Sequence, residues 1–305
     1  MRAFKPRTGQ AGGDPSAAIW ELLSAAFARH GIGLRVTAGE DGLTALLPGG
    51  RTLQPDHLMS MARQTDPGDW PELVSEWTRH VLASLRRPEA PELGAEELRS
   101  RIRTRVVSSL FDGLADFPYS SLVFPGVGRV LCLDFPESIT WLRGQNAGRL
   151  ALPVEELYRQ GQANTDAEPV EPPEPLGDSG VNLIEGESPF TASKAANFGA
   201  LAAALALPAP HGAVFAIPMD HMILYSTIAA GWLRPLRRLA RLAVQQAGAA
   251  AEDGPVVSPM TYYWAPNGQV EVLATPGGAG GGEFEVTITP GDLLIQHVLG
   301  HVSPT

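Results

Sequence analysis

Ser258-Pro-Met-Thr-Tyr-Tyr-Trp-Ala-Pro-Asn-Gly-Gln-Val-Glu-Val-Leu-Ala274 is the stretch that decides the fold class. Asn267-Gly268 is the dipeptide that most readily supplies the positive φ angles of a tight hairpin turn, and β-branched and aromatic residues flank it on both sides. The pattern predicts two antiparallel strands, 261–264 and 270–274. Residues 277–282 carry five glycines among six positions and lead into Glu283-Phe-Glu-Val-Thr-Ile288, whose alternating polarity predicts a third strand. That run is read as a flexible connection rather than a phosphate cradle, because it opens no helix and no basic residue follows it.

Working backward, 233–250 places Leu236, Leu239, Ala240 and Ala243 on one side of a helix and Arg234, Arg237, Arg238 and Arg241 on the other. Ala213-Val-Phe-Ala-Ile217 predicts a buried strand ended by Pro218, preceded by an alanine-rich helix over 193–205 and a strand over 181–184, which together suggest a β-α-β pass. Residues 166–180 combine proline with acid and carry little apolar content, so they predict a linker.

Before that linker, Val127-Gly-Arg-Val-Leu-Cys-Leu-Asp-Phe135 predicts a mostly buried strand, with Cys132 packed inside it. Helices are expected over 16–30, 70–86, 95–110 and 154–163, and a hairpin over 34–47 around Gly39-Glu-Asp-Gly42. Asp69 with Glu72 three positions on, and Pro71 between, reads as a capping box that opens the 70–86 helix; Leu73, Trp77, Val81 and Leu85 form its expected buried stripe. The expectation is a mixed α+β fold of two sub-domains, 1–165 and 181–305, joined at 166–180, each a small mixed or antiparallel sheet with packed helices. No repeat of fixed period is present.

Composition narrows the function classes. The 305 residues are 44% hydrophobic and 18% charged, which suits a folded protein with a sizeable core. A net charge of −10 opposes a nucleic-acid partner, which calls for a concentrated basic footprint. Cys132 is the single cysteine, so no internal disulfide and no cysteine-based zinc site can form within one chain, and a reducing cytoplasm is the expected compartment. No apolar run of membrane-spanning length and no secretory leader stands out.

Three groups of residues are candidate sites. Asp220-His221 follows a strand end, where a general base and its orienting carboxylate could sit, and Ser193 beside Lys194 could be a nucleophile with an amine neighbour. Against that, Ser193 lacks both the Ser-x-x-Lys spacing and the Gly-x-Ser-x-Gly elbow, so a helix-capping role competes, and His221 in a turn hydrogen bond serves equally well. Arg234, Arg237, Arg238 and Arg241 present forks suited to carboxylates or phosphates, the plain alternative being a solvated helix face. Tyr262, Tyr263 and Trp264 are either interface anchors or core. The seven histidines show no metal-ligand spacing, and neither metal nor cofactor is expected.

The words Asp69-Trp-Pro-Glu-Leu-Val74, Gln162-Ala-Asn164, Phe190-Thr-Ala-Ser193, Ala216-Ile-Pro218 and Ser258-Pro-Met-Thr-Tyr-Tyr-Trp264 resemble an uncharacterised actinobacterial protein group, distantly like the YtpQ-type family of unknown function. The abundance of Arg, Ala, Gly and Pro, with Lys5 and Lys194 the only lysines, fits such a source. The resemblance implies an intracellular α+β fold and transfers no activity to any residue. The function expected is a cytoplasmic binding or accessory protein engaging another protein. The alternatives are a hydrolase or transferase with a cleft near Asp220-His221 and Ser193, and a binding module for an anionic small molecule. The sequence leaves the oligomeric state open.

Overall fold

The computed structural model describes residues 16–39, 42–47, 52–53, 55–85, 92–136, 138–144, 149–250, 256–277 and 285–305. The chain divides into two compact units, 1–87 and 88–305, and its fold is mixed α+β.

In the first unit, helix α1 ends at Ala28 (Ser16–Ala28), two residues short of the expected 16–30, in a turn that closes at Gly31 with φ +74°, and is followed by strands β1 (Arg35–Gly39), β2 (Gly42–Leu46) and β3 (Thr52–Leu53) in an antiparallel sheet. Helices α2 (Asp56–Gln64) and α3 (Trp70–Leu85) pack with α1 around Ile19, Leu23, Phe27, Leu58, Val74 and Leu82. Two details of α3 differ from expectation. The capping carboxylate is Asp66, whose Oδ1 accepts the Gly68 amide at 2.8 Å, because a 3-10 turn at Pro67–Asp69 precedes the α-helix and takes up Asp69. The fully buried column is Val74, Thr78 and Leu82, with Leu73, Trp77 and Val81 half-buried beside it. The Leu85 side chain lies outside the described residues.

The second unit opens with α4 (Ala95–Arg101), which turns directly into strand β4 (Ile102–Ser108). A single helix over 95–110 is therefore corrected. Ile102, Thr104 and Val106 alternate with Arg103 and Arg105, and this period of two outweighs the helical propensity of arginine once Ile102–Ser108 can pair with Val127–Leu133 of β6 (Val127–Phe135). Strands β5 (Ser121–Phe124) and β7 (Ser138–Trp141) share the other edge of β6. Cys132 is buried at the centre of β6 as predicted, where burial pushes its thiol up to about 12.

Residues 166–180 are not a boundary. Helix α5 (Val154–Ala167) runs into them, β8 (Glu174–Pro175) pairs with β9 (Asn182–Glu185), and the segment lies well inside the second unit. After the 3-10 turn Ala192–Asn197 and α6 (Phe198–Ala204) come β10 (Ala213–Ala216), β11 (Met222–Thr227), α7 (Leu233–Ala250), β12 (Thr261–Trp264), β13 (Val270–Pro276), β14 (Val286–Ile288) and α8 (Asp292–His297). They form a seven-stranded antiparallel sheet in the order β14-β13-β12-β10-β11-β9-β8. The β-α-β pass is thereby revised. Strands β9 and β10 point the same way, but β11 is inserted between them, so every neighbouring pair is antiparallel.

The predicted hairpin forms as β12 and β13, with Gly268 at φ +86° in its turn. The Gly277 amide donates to the Glu285 carbonyl, and residues 278–284, which include the rest of the glycine-rich run, lie outside the described residues. Both faces of the large sheet are covered, which is why its central strands read as continuous apolar runs. One face (Phe215, Ile223, Tyr262) meets Val106, Phe124 and Val127 of the small sheet together with Phe198 and Leu201. The other (Val214, Leu224, Tyr263, Leu273) is covered by Leu236, Leu239 and Ala243 of α7 and Leu294 of α8.

Candidate functional site

The predicted site residues fall in three places. Ser193 and Lys194 lie at a buried polar junction between α5, β4 and the turn Ala192–Asn197, next to Asp220-His221. The free side of β4 would be an exposed strand edge, and α5 closes it. Asn164 Nδ2 donates to the carbonyls of Arg99 and Ile102, and the Thr104 amide donates to Thr165 Oγ1 at 3.2 Å. Gly161 lets the helix approach, since a Cβ there would sit 3.1 Å from the Arg103 backbone. Ser193 completes the edge: its Oγ accepts the buried Val106 amide at 3.0 Å. Lys194 is 3% exposed, and its Nζ donates to the carbonyls of Thr165 and Glu168, both at 2.7 Å, so the ammonium caps the last turn of α5. Burial lowers the Lys194 pKa, opposed by the nearby Glu168 and Asp166 carboxylates.

Asp220 and His221 occupy the turn between β10 and β11. Asp220 Oδ2 takes Arg105 Nη2 at 2.6 Å, with both side chains about seven-eighths buried, and the Arg105 guanidinium lies 4.9 Å from the centre of the Trp141 ring. Asp220 Oδ1 is 3.1 Å from His221 Nδ1, and His221 Nε2 stands 3.8 Å from Glu185 Oε1. Burial alone would raise the Asp220 pKa, but the His221 hydrogen bond and Arg105 outweigh it and hold the carboxyl below the usual range. The hydrogen bond that His221 Nδ1 donates to the Asp220 carboxylate raises the His221 pKa, against the opposing effect of burial. The alignment of Asp220 with His221 is thus real, yet the partner at the far side of Asp220 is an arginine on another sheet. Ser193 turns its hydroxyl to the Val106 amide. The hydrogen bonds of this junction lock elements together, and nothing in them delivers a proton to a nucleophile.

Sequence reasoning missed Arg103, Arg105, Asp134, Glu168 and Glu185. Arg103 bridges Glu168 at 2.9 Å and Asp134 at 3.6 Å, and Glu168 also accepts the Ser188 hydroxyl. Burial raises the Asp134 pKa, partly offset by Arg103. The signal for the two arginines was their alternation with Ile102, Thr104 and Val106.

The second place is the aromatic strand. Tyr262 and Tyr263 are completely buried, one on each face of the sheet, and their hydroxyls donate to the carbonyls of Pro125 and His211. Burial pushes both phenols up to about 12. Trp264 packs against Phe198. The interface reading of Tyr262 and Tyr263 is therefore corrected: their rings fill the space between layers and offer no surface.

The third place is the outer face of α7. Arg234, Arg237, Arg238 and Arg241 are all exposed, within about 100° of arc and about 10 Å of helix. Among the described residues none of them forms an ion pair, and α7 itself contains no acidic residue. Pro235 at the helix start and the buried Leu236, Leu239, Ala240 and Ala243 fix which side faces out.

Among the described residues no cluster of His, Cys, Asp and Glu could hold a metal ion, and no helix is long and apolar enough to cross a membrane. The chain matches no family model, no curated protein and no solved structure.

Proposed function

We propose that this protein is a binding or accessory protein that engages an acidic segment of another protein through the outer face of α7. The observation that carries the reading is the set of four exposed guanidinium groups without carboxylate partners among the described residues, on an acid-free helix of a chain whose net charge is −10. In an acidic protein the easy arrangement is to scatter arginines among carboxylates, as Arg99 with Glu156 and Arg101 with Glu97 do here. Four forks in one arc, with no ion pair among the described residues, match carboxylates spaced along a chain, each able to take two parallel hydrogen bonds.

The test is fluorescence anisotropy of a labelled decaglutamate peptide with the full chain. Binding at low ionic strength that weakens with salt, and that is abolished by Arg234→Gln, Arg237→Gln, Arg238→Gln and Arg241→Gln together, supports the reading. Unaltered binding by the fourfold variant, or none by the native chain at low salt, overturns it.

A further inference from the structure

Helix α7 lies over β10 and β11, while the sheet continues past it to β9 and β8. The step between helix and sheet edge leaves a cleft of about 420 Å³, at the small end of ligand-sized cavities. Its floor is apolar. Leu183 and Leu224 are directly paired across β9 and β11, and Met222 lies two residues along from Leu224 on the same face. One wall is a column of α7, Arg238, Leu242 and Gln246, spaced four residues apart and so spanning about 12 Å, and the other is formed by Pro175, Leu176 and Gly177. Leu183 and Leu242 are only partly buried, so the cleft is a trough open along the helix and not a sealed chamber. At one end stands Arg238, without an ion pair among the described residues, with Arg234 and Arg241 one turn away on either side.

We propose that this trough receives a large apolar side chain of the acidic partner segment, so that the feature recognised is a leucine- or phenylalanine-sized residue flanked by carboxylates. The proposal rests on the reading of α7 as the contact face and specifies what that face selects. Charge complementarity names the occupant. An apolar residue lying on Leu183, Met222 and Leu242 brings its neighbouring carboxylates over Arg238 and Arg234, whereas a neutral apolar segment would leave those guanidinium groups uncompensated. The arginines supply attraction and orientation, and the trough supplies discrimination among acidic sequences.

The experiment compares two fluorescein-labelled peptides of equal charge, Glu-Asp-Glu-Leu-Phe-Glu-Asp-Glu and Glu-Asp-Glu-Ser-Ser-Glu-Asp-Glu, on the full chain. The Leu-Phe peptide is expected to bind roughly 10- to 100-fold more tightly. It should also shift the Met222 methyl resonance, assigned through Met222→Leu, which the Ser-Ser peptide leaves in place. Leu242→Gln removes apolar wall, and Gln246→Trp fills the trough with the protein's own ring. Both should reduce the Leu-Phe peptide to the Ser-Ser level, and the second does so without thinning the core. Equal binding of the two peptides, with the fourfold arginine variant still losing both, overturns the trough and leaves the α7 reading standing. Failure of both peptides to bind overturns the two together. Decanoate that shifts the Met222 methyl and is not displaced by the Leu-Phe peptide overturns the proposal in favour of a small amphiphile.

Discussion

The junction at β4 and the outer face of α7 both carry several charged side chains, and they use them in opposite ways. At the junction Arg103, Arg105 and Lys194 are mostly buried, and each is matched by carboxylates or carbonyls at hydrogen-bond distance. On α7 four arginines stand in water with no partner among the described residues. A buried charge costs several kcal/mol unless it is paired, so the pairing at the junction is obligatory and its geometry identifies structural groups. An exposed charge carries no such penalty, so the unpaired set on α7 is free to be used. Ser193, Lys194 and Asp220 thus serve the architecture, and the proposed contact face is the outer side of α7.

The sharpest way to break the comparison is at Lys194. Lys194→Met leaves the Thr165 and Glu168 carbonyls without their donor at the end of α5, and urea denaturation is expected to show a loss of about 3 kcal/mol. A loss below about 0.5 kcal/mol would mean that the ammonium is not structural. Next comes Asp220→Asn, which strands Arg105 beneath Trp141 and is expected to cost about 2 kcal/mol; a double-mutant cycle with Arg105→Met should recover much of it. Ser193→Ala removes the acceptor of the buried Val106 amide and should cost about 1–2 kcal/mol while leaving peptide binding untouched.

Smaller still is the pH dependence of stability. Asp220 titrates below the usual carboxyl value in the folded state, so its contribution is present above the ordinary pKa of about 4 and disappears as pH falls through the lowered value. His221 titrates above its usual value of about 6.5, so its contribution is complete below that pH and disappears as pH rises through the raised value. Stability is expected to be highest between these limits, and in denaturation curves collected across pH His221→Gln should flatten the alkaline side and also weaken the acid side, because His221 helps Arg105 to hold the Asp220 carboxyl down. The smallest effect belongs to α7: replacing all four arginines by glutamine should change stability by no more than about 0.5 kcal/mol per site. A large destabilisation there would show that the stripe is structural after all and would erase the contrast.

Some of this was legible residue by residue. The spacing of Leu236, Leu239, Ala240 and Ala243 gave α7 and put its arginines outside; Val127 to Phe135 gave β6; Asn267-Gly268 gave the β12–β13 hairpin. The segment 102–108 was harder, because its arginines favour helix in isolation and the deciding term is pairing with β6, far along the chain. Proline and acid at 166–180 looked like a linker because local composition has no access to Lys194 and Arg103, the side chains that hold Glu168 in place. At Tyr262 and Tyr263 the residue types were ambiguous in principle, since aromatic rings serve cores and interfaces alike.

The sequence by itself determined the class of fold, the apolar faces of its principal helices and strands, and the one-sided placement of arginine on α7, because these depend on periodicities of two and 3.6 residues that survive without any partner. Only the tertiary structure decided which charges are spent on architecture and which remain free. That distinction is a matter of distance between groups such as Arg105 and Asp220, 115 residues apart in sequence and 2.6 Å apart in the fold, and no local pattern encodes it.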